Sequence, residues 1–169
     1  SYGITGIGGS PHAEFEALSK LKKIPKGTIA YVSLEPCSHV GKNPACASLL
    51  AMSGIAKVVI ATKDPNPLIN GNGIEILKNA GIKTKLGICE DLAKDSIYGF
   101  SQRVNGLHPE VNIKVASYSD GITVPSDKDP WITNNLSRSY GHVLRSNHDA
   151  IVVGVNTVKI DDPNLDCRL

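Results

Sequence analysis

The sequence predicts an α/β protein with parallel strands, followed by a second α/β unit in which the pattern starts again. Three observations carry this expectation. Apolar residues at helical spacing alternate with short β-branched runs over residues 12–104. Those runs are almost continuously apolar, as in strands covered on both faces. A turn-rich stretch, Val104-Asn105-Gly106-Leu107-His108-Pro109, then precedes a fresh β-rich run. With 169 residues, the chain has room for one medium domain, or for a small domain and part of another.

Taken in order, Ala13, Ala17, Leu18 and Leu21 recur at helical spacing, so a helix starts near His12 and ends at the breaker Pro25-Lys26-Gly27. Residues 28–34 read as a strand. Pro44 can open a helix through Leu49, Leu50 and Met52 that Gly54 stops. Residues 57–61 (KVVIA) form the next buried strand, 73–79 a helix stopped by Gly81, and 84–88 a weaker strand at a sheet edge. A single polar helix is expected over 90–104, with Leu92, Ala93, Ile97 and Phe100 on one side. In the second unit, 111–116 (VNIKVA) reads as a strand and Ser119-Asp120-Gly121 as a turn. Asn134 or Asn135 can cap a helix running to about Arg145, and 149–155 (DAIVVGV) reads as a buried strand. One helix and two strands cannot close a core around Val152 and Val153, so this unit is expected to be incomplete.

The chemistry concentrates in His12-Ala13-Glu14, Pro36-Cys37 and Cys46. One imidazole, two thiolates and one carboxylate that need not ligate are what a zinc deaminase of nucleobases uses. Three protein ligands leave a fourth position for water, which the metal ionises near neutral pH. Glu14 is placed to carry the proton from that water to the departing amine. Read blandly, it is a first-turn acid favoured by the helix dipole. The general pattern has two residues between the cysteines, whereas eight intervene here.

Composition narrows the partners. Hydrophobic residues make up 41% of the chain, enough for a core without disulfides, and the formal net charge of +2 comes without a basic run, so nucleic acid is not expected. Four irregularly spaced cysteines, two of them in the metal pattern, fit a reducing cytoplasm, with Cys89 and Cys167 as free thiols. No stretch is apolar enough to span a bilayer, and residues 1–10 do not read as a signal peptide.

The stretches PHAEFEAL, LEPCSHVGKNPAC, SGIAKVVIATKDPNP, GNGIEILKNAGI, KVASYSDG, WIT, DAIVVGVNTV and DDPNLDCRL run in this order over nearly the whole chain. In them the chain resembles the bifunctional deaminase/reductase family of riboflavin biosynthesis, whose own cysteine spacing is the eight-residue gap. The resemblance implies a cytidine-deaminase-like three-layer α/β/α domain over 1–108. It implies that 109–169 is the N-terminal part of a dihydrofolate-reductase-like α/β domain. The implied activities are zinc-dependent deamination of a diamino-ribosylamino-pyrimidinone 5′-phosphate and NADPH-dependent reduction of its ribose to a ribityl chain. Set against the family, the chain is expected to be truncated at both ends, and the full-length protein to be a cytoplasmic homo-oligomer acting on a small phosphorylated pyrimidine.

Site residues follow from the same resemblance. Zinc would be held by His12, Cys37 and Cys46, with Glu14 catalytic. His39 and Lys42, between the cysteines, look like substrate contacts. So do Asp64 and Asn66, although Asp-Pro and Asn-Pro are also good turn formers. Lys114, Asp120, Arg145, Leu165 and Arg168 resemble substrate-side residues of the reductase, and Trp131, Thr133, Thr157 and Asp161 resemble NADPH contacts. Each has a duller reading: Trp131 as core, Arg145 as an exposed helix-end cation, Asp161 as part of a solvated turn. Two other functions stay open at this point. A different nucleotide or tRNA deaminase would share the His-Ala-Glu and Pro-Cys motifs but show the short cysteine spacing. A noncatalytic zinc module would have no need of Glu14.

Overall fold

The computed structural model describes residues 1–40, 44–123 and 131–168. They divide into two compact units, Ser1–Val111 and Asn112–Leu169. In the first unit three parallel strands, β1 (Ile29–Leu34), β2 (Lys57–Thr62) and β3 (Lys83–Leu86), lie side by side in chain order. Parallel neighbours need a crossover, and the helices α2 (Cys46–Met52) and α3 (Asn72–Asn79) supply it. Strands in sequential order with crossovers of one hand place both helices on the same face, and α2 and α3 pack against each other there.

That face holds the core: Ala47 and Leu50 from α2, Val58 and Ile60 from β2, Ile74 and Leu77 from α3, closed by Ile55 and Ile82. Leu18, from α1 (Ala13–Ser19), packs on the same cluster. Leu50, Ile60 and Leu77 are among the fully buried side chains, and each contributes about 1.5–3 kcal/mol through burial. Val59 points to the other side of the sheet and is also buried, and α4 (Glu90–Ser96) returns to β2 with Ala93 inward. Gly54 and Gly81, both at positive φ, terminate α2 and α3 where the sequence places the stops.

Several expectations are corrected. The first strand is not covered on both faces: Ala30 and Val32 face the core while Ile29 and Tyr31 are exposed, because α4 packs on the opposite face at β2 rather than at β1. The single helix expected over 90–104 is two, α4 and α5 (Tyr98–Val104), broken at Ile97 (φ −115°, ψ 13°). Just before the break, the Ser96 hydroxyl bonds back to the Ala93 carbonyl at 2.8 Å, a contact that bends helices. Leu92, placed on the apolar side in the sequence reading, is exposed.

In the second unit α6 (Asn135–Ser146) is capped as expected, with the Asn134 side chain accepting the Ser137 N–H at 2.9 Å. The turn at Ser119-Asp120-Gly121 also forms, with Gly121 at φ +85°. Neither 111–116 nor 149–155 is a strand, and residues 155–161 form a further helix, α7 (Val155–Asp161). A strand exists only through a partner's backbone, and none pairs with these segments among the described residues. Val111, Ile113, Val115 and Val152 are correspondingly exposed.

Candidate metal centre

Three local structures bring the first site together. His12 is the N-cap of α1, with extended backbone (φ −71°, ψ 152°), so its ring leaves the helix start sideways. Cys37 follows Pro36 just beyond β1, and Cys46 is the first residue of α2. The Cys37 carbonyl accepts the Ala47 N–H at 3.1 Å, and its sulfur accepts the Cys46 N–H at 3.2 Å. Cys37 thereby satisfies two of the donors that every helix start leaves open, which fixes one cysteine against the other across the long intervening loop.

His12 Nδ1 lies 3.2 Å from Cys46 Sγ and 3.5 Å from Cys37 Sγ, and the three donor atoms all fall within 4.8 Å of one another. Zinc–nitrogen and zinc–sulfur bonds of about 2.0–2.1 and 2.3 Å at tetrahedral angles separate neighbouring N and S ligands by roughly 3.5 Å. The donor set therefore fits one zinc ion in both chemistry and spacing. The hydrogen bond from Cys46 brings the Cys37 thiol down to about 5, helped by the Cys46 N–H and by His12 and opposed by burial. The same hydrogen bond, then burial and the charge of Glu14, push Cys46 far up.

Glu14 stands outside the donor cluster, close enough for its charge to act on Cys46. Next to this group the loop after β2 carries Asp64 and Asn66. Both side chains make turns: Asp64 Oδ1 accepts the Asn66 N–H at 2.8 Å, and Asn66 Oδ1 accepts the Leu68 N–H at 3.1 Å. Burial pushes the Asp64 carboxyl above its ordinary value against the pull of the Asn66 N–H; the charge of Glu35 adds to the rise and that of His39 opposes it. His39 is thus in electrostatic range of Asp64 and itself exposed. Lys42 lies outside the described residues.

Sequence reasoning missed Glu35. Only 3% exposed, it accepts backbone N–H groups from Asp64, Gly71 and Ile74. A buried carboxylate needs such donors, and a glutamate next to Pro36-Cys37 was the one available signal.

The candidates in the second unit fall into separate groups. Lys114 and Thr133 line a groove along α6 with Leu136, Tyr140 and Gly141. Trp131 is stacked under the Arg138 guanidinium at 4.3 Å, and Arg138 also donates to the Thr133 carbonyl at 2.7 Å. Asp120 accepts the Ile122 N–H at 3.0 Å in a local turn. Thr157 and Asp161 stand one helical turn apart on α7, and Leu165 follows at φ +53°. Arg145 donates to the Asp166 carbonyl at 3.0 Å, Arg168 pairs with the Asp166 carboxylate, and His142 Nδ1, another group not foreseen, accepts the Arg168 N–H at 3.1 Å.

Comparison with known proteins agrees with this geometry. Residues 4–62 match the cytidine and deoxycytidylate deaminase zinc-binding region, and 109–169 match the RibD C-terminal domain. The riboflavin biosynthesis protein RibD of Aquifex aeolicus is 42% identical over 98% of this chain and 48% of its own length, and that of Escherichia coli 38% identical over 95% and 44%. Among solved structures, Acinetobacter baumannii RibD matches with a TM-score of 0.85 at 43% identity, over 95% of this chain and 45% of its own. A diaminohydroxyphosphoribosylaminopyrimidine deaminase/5-amino-6-(5-phosphoribosylamino)uracil reductase from Thermotoga maritima matches at 0.84 and 40% identity, over 95% and 47%. The chain spans a little under half the length of these relatives. Over that span it joins a cytidine-deaminase-like domain to the start of a RibD C-terminal domain, and it is similar throughout to the RibD riboflavin-biosynthesis proteins.

Proposed function

We propose that residues 1–108 form a zinc-dependent deaminase that removes an amino group from a diamino-ribosylamino-pyrimidinone 5′-phosphate. Residues 109–169 would belong to an NADPH-dependent reductase acting on the ribose of the product. The whole protein would serve riboflavin biosynthesis, as a homo-oligomer in the cytoplasm. One observation carries the deaminase reading: His12, Cys37 and Cys46 converge as a three-donor set while Glu14 stands beside Cys46 without joining it. A structural zinc site is closed by four protein ligands and has no use for that carboxylate.

His12, Cys37 and Cys46 would hold the zinc, which would lower the pKa of a water toward neutrality. The protein supplies the proton path. Glu14 takes the proton of the attacking water and delivers it to the departing amine, so that a carbon–oxygen bond forms, the carbon–nitrogen bond breaks and ammonia leaves. His39 and Lys42, on the loop between the cysteines, would meet the ribose phosphate, and Asp64 and Asn66 the pyrimidine side.

Lys114, Asp120, Arg145, Leu165 and Arg168 would contact the reductase substrate, and Trp131, Thr133, Thr157 and Asp161 the NADPH. Among the described residues the groove beside α6 takes its lining from Lys114 and Thr133 and none from α7. On this reading the chain would carry parts of a nucleotide site. NADPH would bring a hydride to that site, and the residues named would bind and orient.

The test is incubation of the zinc-loaded protein with the phosphorylated diaminopyrimidinone, following ammonia and the mass of the product together. Stoichiometric ammonia and the corresponding uracil-type product are expected. Release from cytidine or adenosine nucleotides, with none from this substrate, would assign the chain to a different deaminase.

A further inference from the structure

Glu35 does nothing in the chemistry described above, yet it is the most heavily engaged buried side chain near the metal centre. One oxygen accepts the N–H groups of Asp64 at 3.3 Å and Gly71 at 2.9 Å, and the other accepts that of Ile74 at 3.1 Å. Its own N–H donates to the Thr62 carbonyl at 3.0 Å, the last bond between the ends of β1 and β2. The carboxylate therefore grips both ends of the loop between β2 and α3. Inside the grip the loop is wound on Asn66, whose carbonyl accepts the N–H groups of Ile69 and Asn70 at 2.9 Å. Beyond it, α3 presses on the metal loop at Gly73, where a Cβ would meet the Pro36 carbonyl oxygen at 2.0 Å.

From this we infer that Glu35 is a positioning residue for substrate: it sets the loop bearing Asp64 and Asn66 in fixed register with Cys37, two residues away. The inference rests on the deaminase reading, which makes Asp64 and Asn66 substrate contacts. A purely structural carboxylate would be expected to fasten core elements to each other. This one fastens two loop N–H groups, those of Asp64 and Gly71, together with the first-turn N–H of Ile74 in α3. Charge-assisted bonds to a buried carboxylate are the strong kind, and a neutral replacement cannot reproduce them, since one oxygen becomes an amide that confronts an N–H.

The test combines amide hydrogen exchange with kinetics in the intact, zinc-loaded protein. In the wild type the Asp64 and Gly71 amides should be protected although they lie in a loop. Glu35→Gln should speed their exchange about tenfold or more, the scale of one lost hydrogen bond to a charged group. It should keep one zinc per chain and raise KM for the pyrimidine nucleotide about tenfold, with kcat changed far less. Glu35→Asp, which keeps the charge but shortens the reach, should fall between; it also carries the kinetics if Glu35→Gln does not fold. Unprotected Asp64 and Gly71 amides in the wild type would overturn the inference. So would a folded variant that leaves KM unchanged, or one that loses zinc and kcat together at constant KM, which would tie Glu35 to the metal loop instead. Absence of deamination by the wild type would sink the deaminase reading alone, and the exchange measurement would still decide whether the grip exists.

Discussion

His12 and Glu14 are separated by one residue, a spacing that within a helix turns side chains to opposite sides. They reach the same site because only Glu14 is helical; His12, as the N-cap, keeps an extended backbone. That places the imidazole among the sulfurs and leaves the carboxylate beside them. Glu14→Gln should therefore retain zinc, measured by elemental analysis, and lose deamination by the ~10²–10⁴ typical of a general acid–base. On the proposed division of activities, NADPH-dependent reduction by the whole protein should persist. Lys42 is expected to meet phosphate as a point charge. Lys42→Ala should raise KM for the phosphorylated substrate and leave it unchanged for the dephosphorylated one; equal losses on both would remove Lys42 from the phosphate site. At this scale the donor set was legible in the sequence because ligand chemistry restricts it to a few residue types. For Asp64 and Asn66 the turn chemistry that was the alternative reading is what forms, with both side chains accepting local N–H groups. Glu35 was not legible, since its partners are backbone groups 29 to 39 residues away and carry no side-chain signature.

The elements of the first unit follow from strong local signals. β2 is apolar because both of its faces are covered, and the glycines after α2 and α3 stop the helices where a left-handed residue is required. The approach of α3 to Pro36 depends on a missing Cβ. Gly73→Ala, set against a backbone carbonyl, should force α3 outward and cost about 1–3 kcal/mol, as other overpacked sites do. Chemical denaturation of the zinc-loaded protein would measure this, and an unchanged midpoint would show that the helix relaxes freely. The strands expected over 111–116 and 149–155 did not appear. Their apolar composition marks segments suited to the middle of a sheet, but composition cannot provide the neighbouring backbone that makes a strand. The break at Ile97 escaped notice for a different reason: the apolar spacing runs on through it, while the bend comes from Ser96 bonding back to Ala93.

For the whole molecule, the two units differ in how much apolar surface they cover. The first closes a core on one face of its sheet, whereas the second leaves Val111-side residues Ile113 and Val115, together with Val152, in solvent. Exposed apolar surface of this kind drives association. Sedimentation of these 169 residues should show concentration-dependent self-association, and fluorescence titration should show weak NADPH binding. A monomer that binds NADPH tightly and stoichiometrically would mean that the second unit is complete as it stands. The function proposed for the first unit turns on metal-dependent deamination at the His12–Cys37–Cys46 centre. The most direct measurement is the rate of ammonia release from the diamino-ribosylamino-pyrimidinone 5′-phosphate by zinc-loaded, chelator-stripped and zinc-restored protein. Loss of the rate on stripping and its return with one zinc per chain is the predicted result. A stripped protein that deaminates as fast as the loaded one, or a fully loaded protein that releases no ammonia, would contradict it.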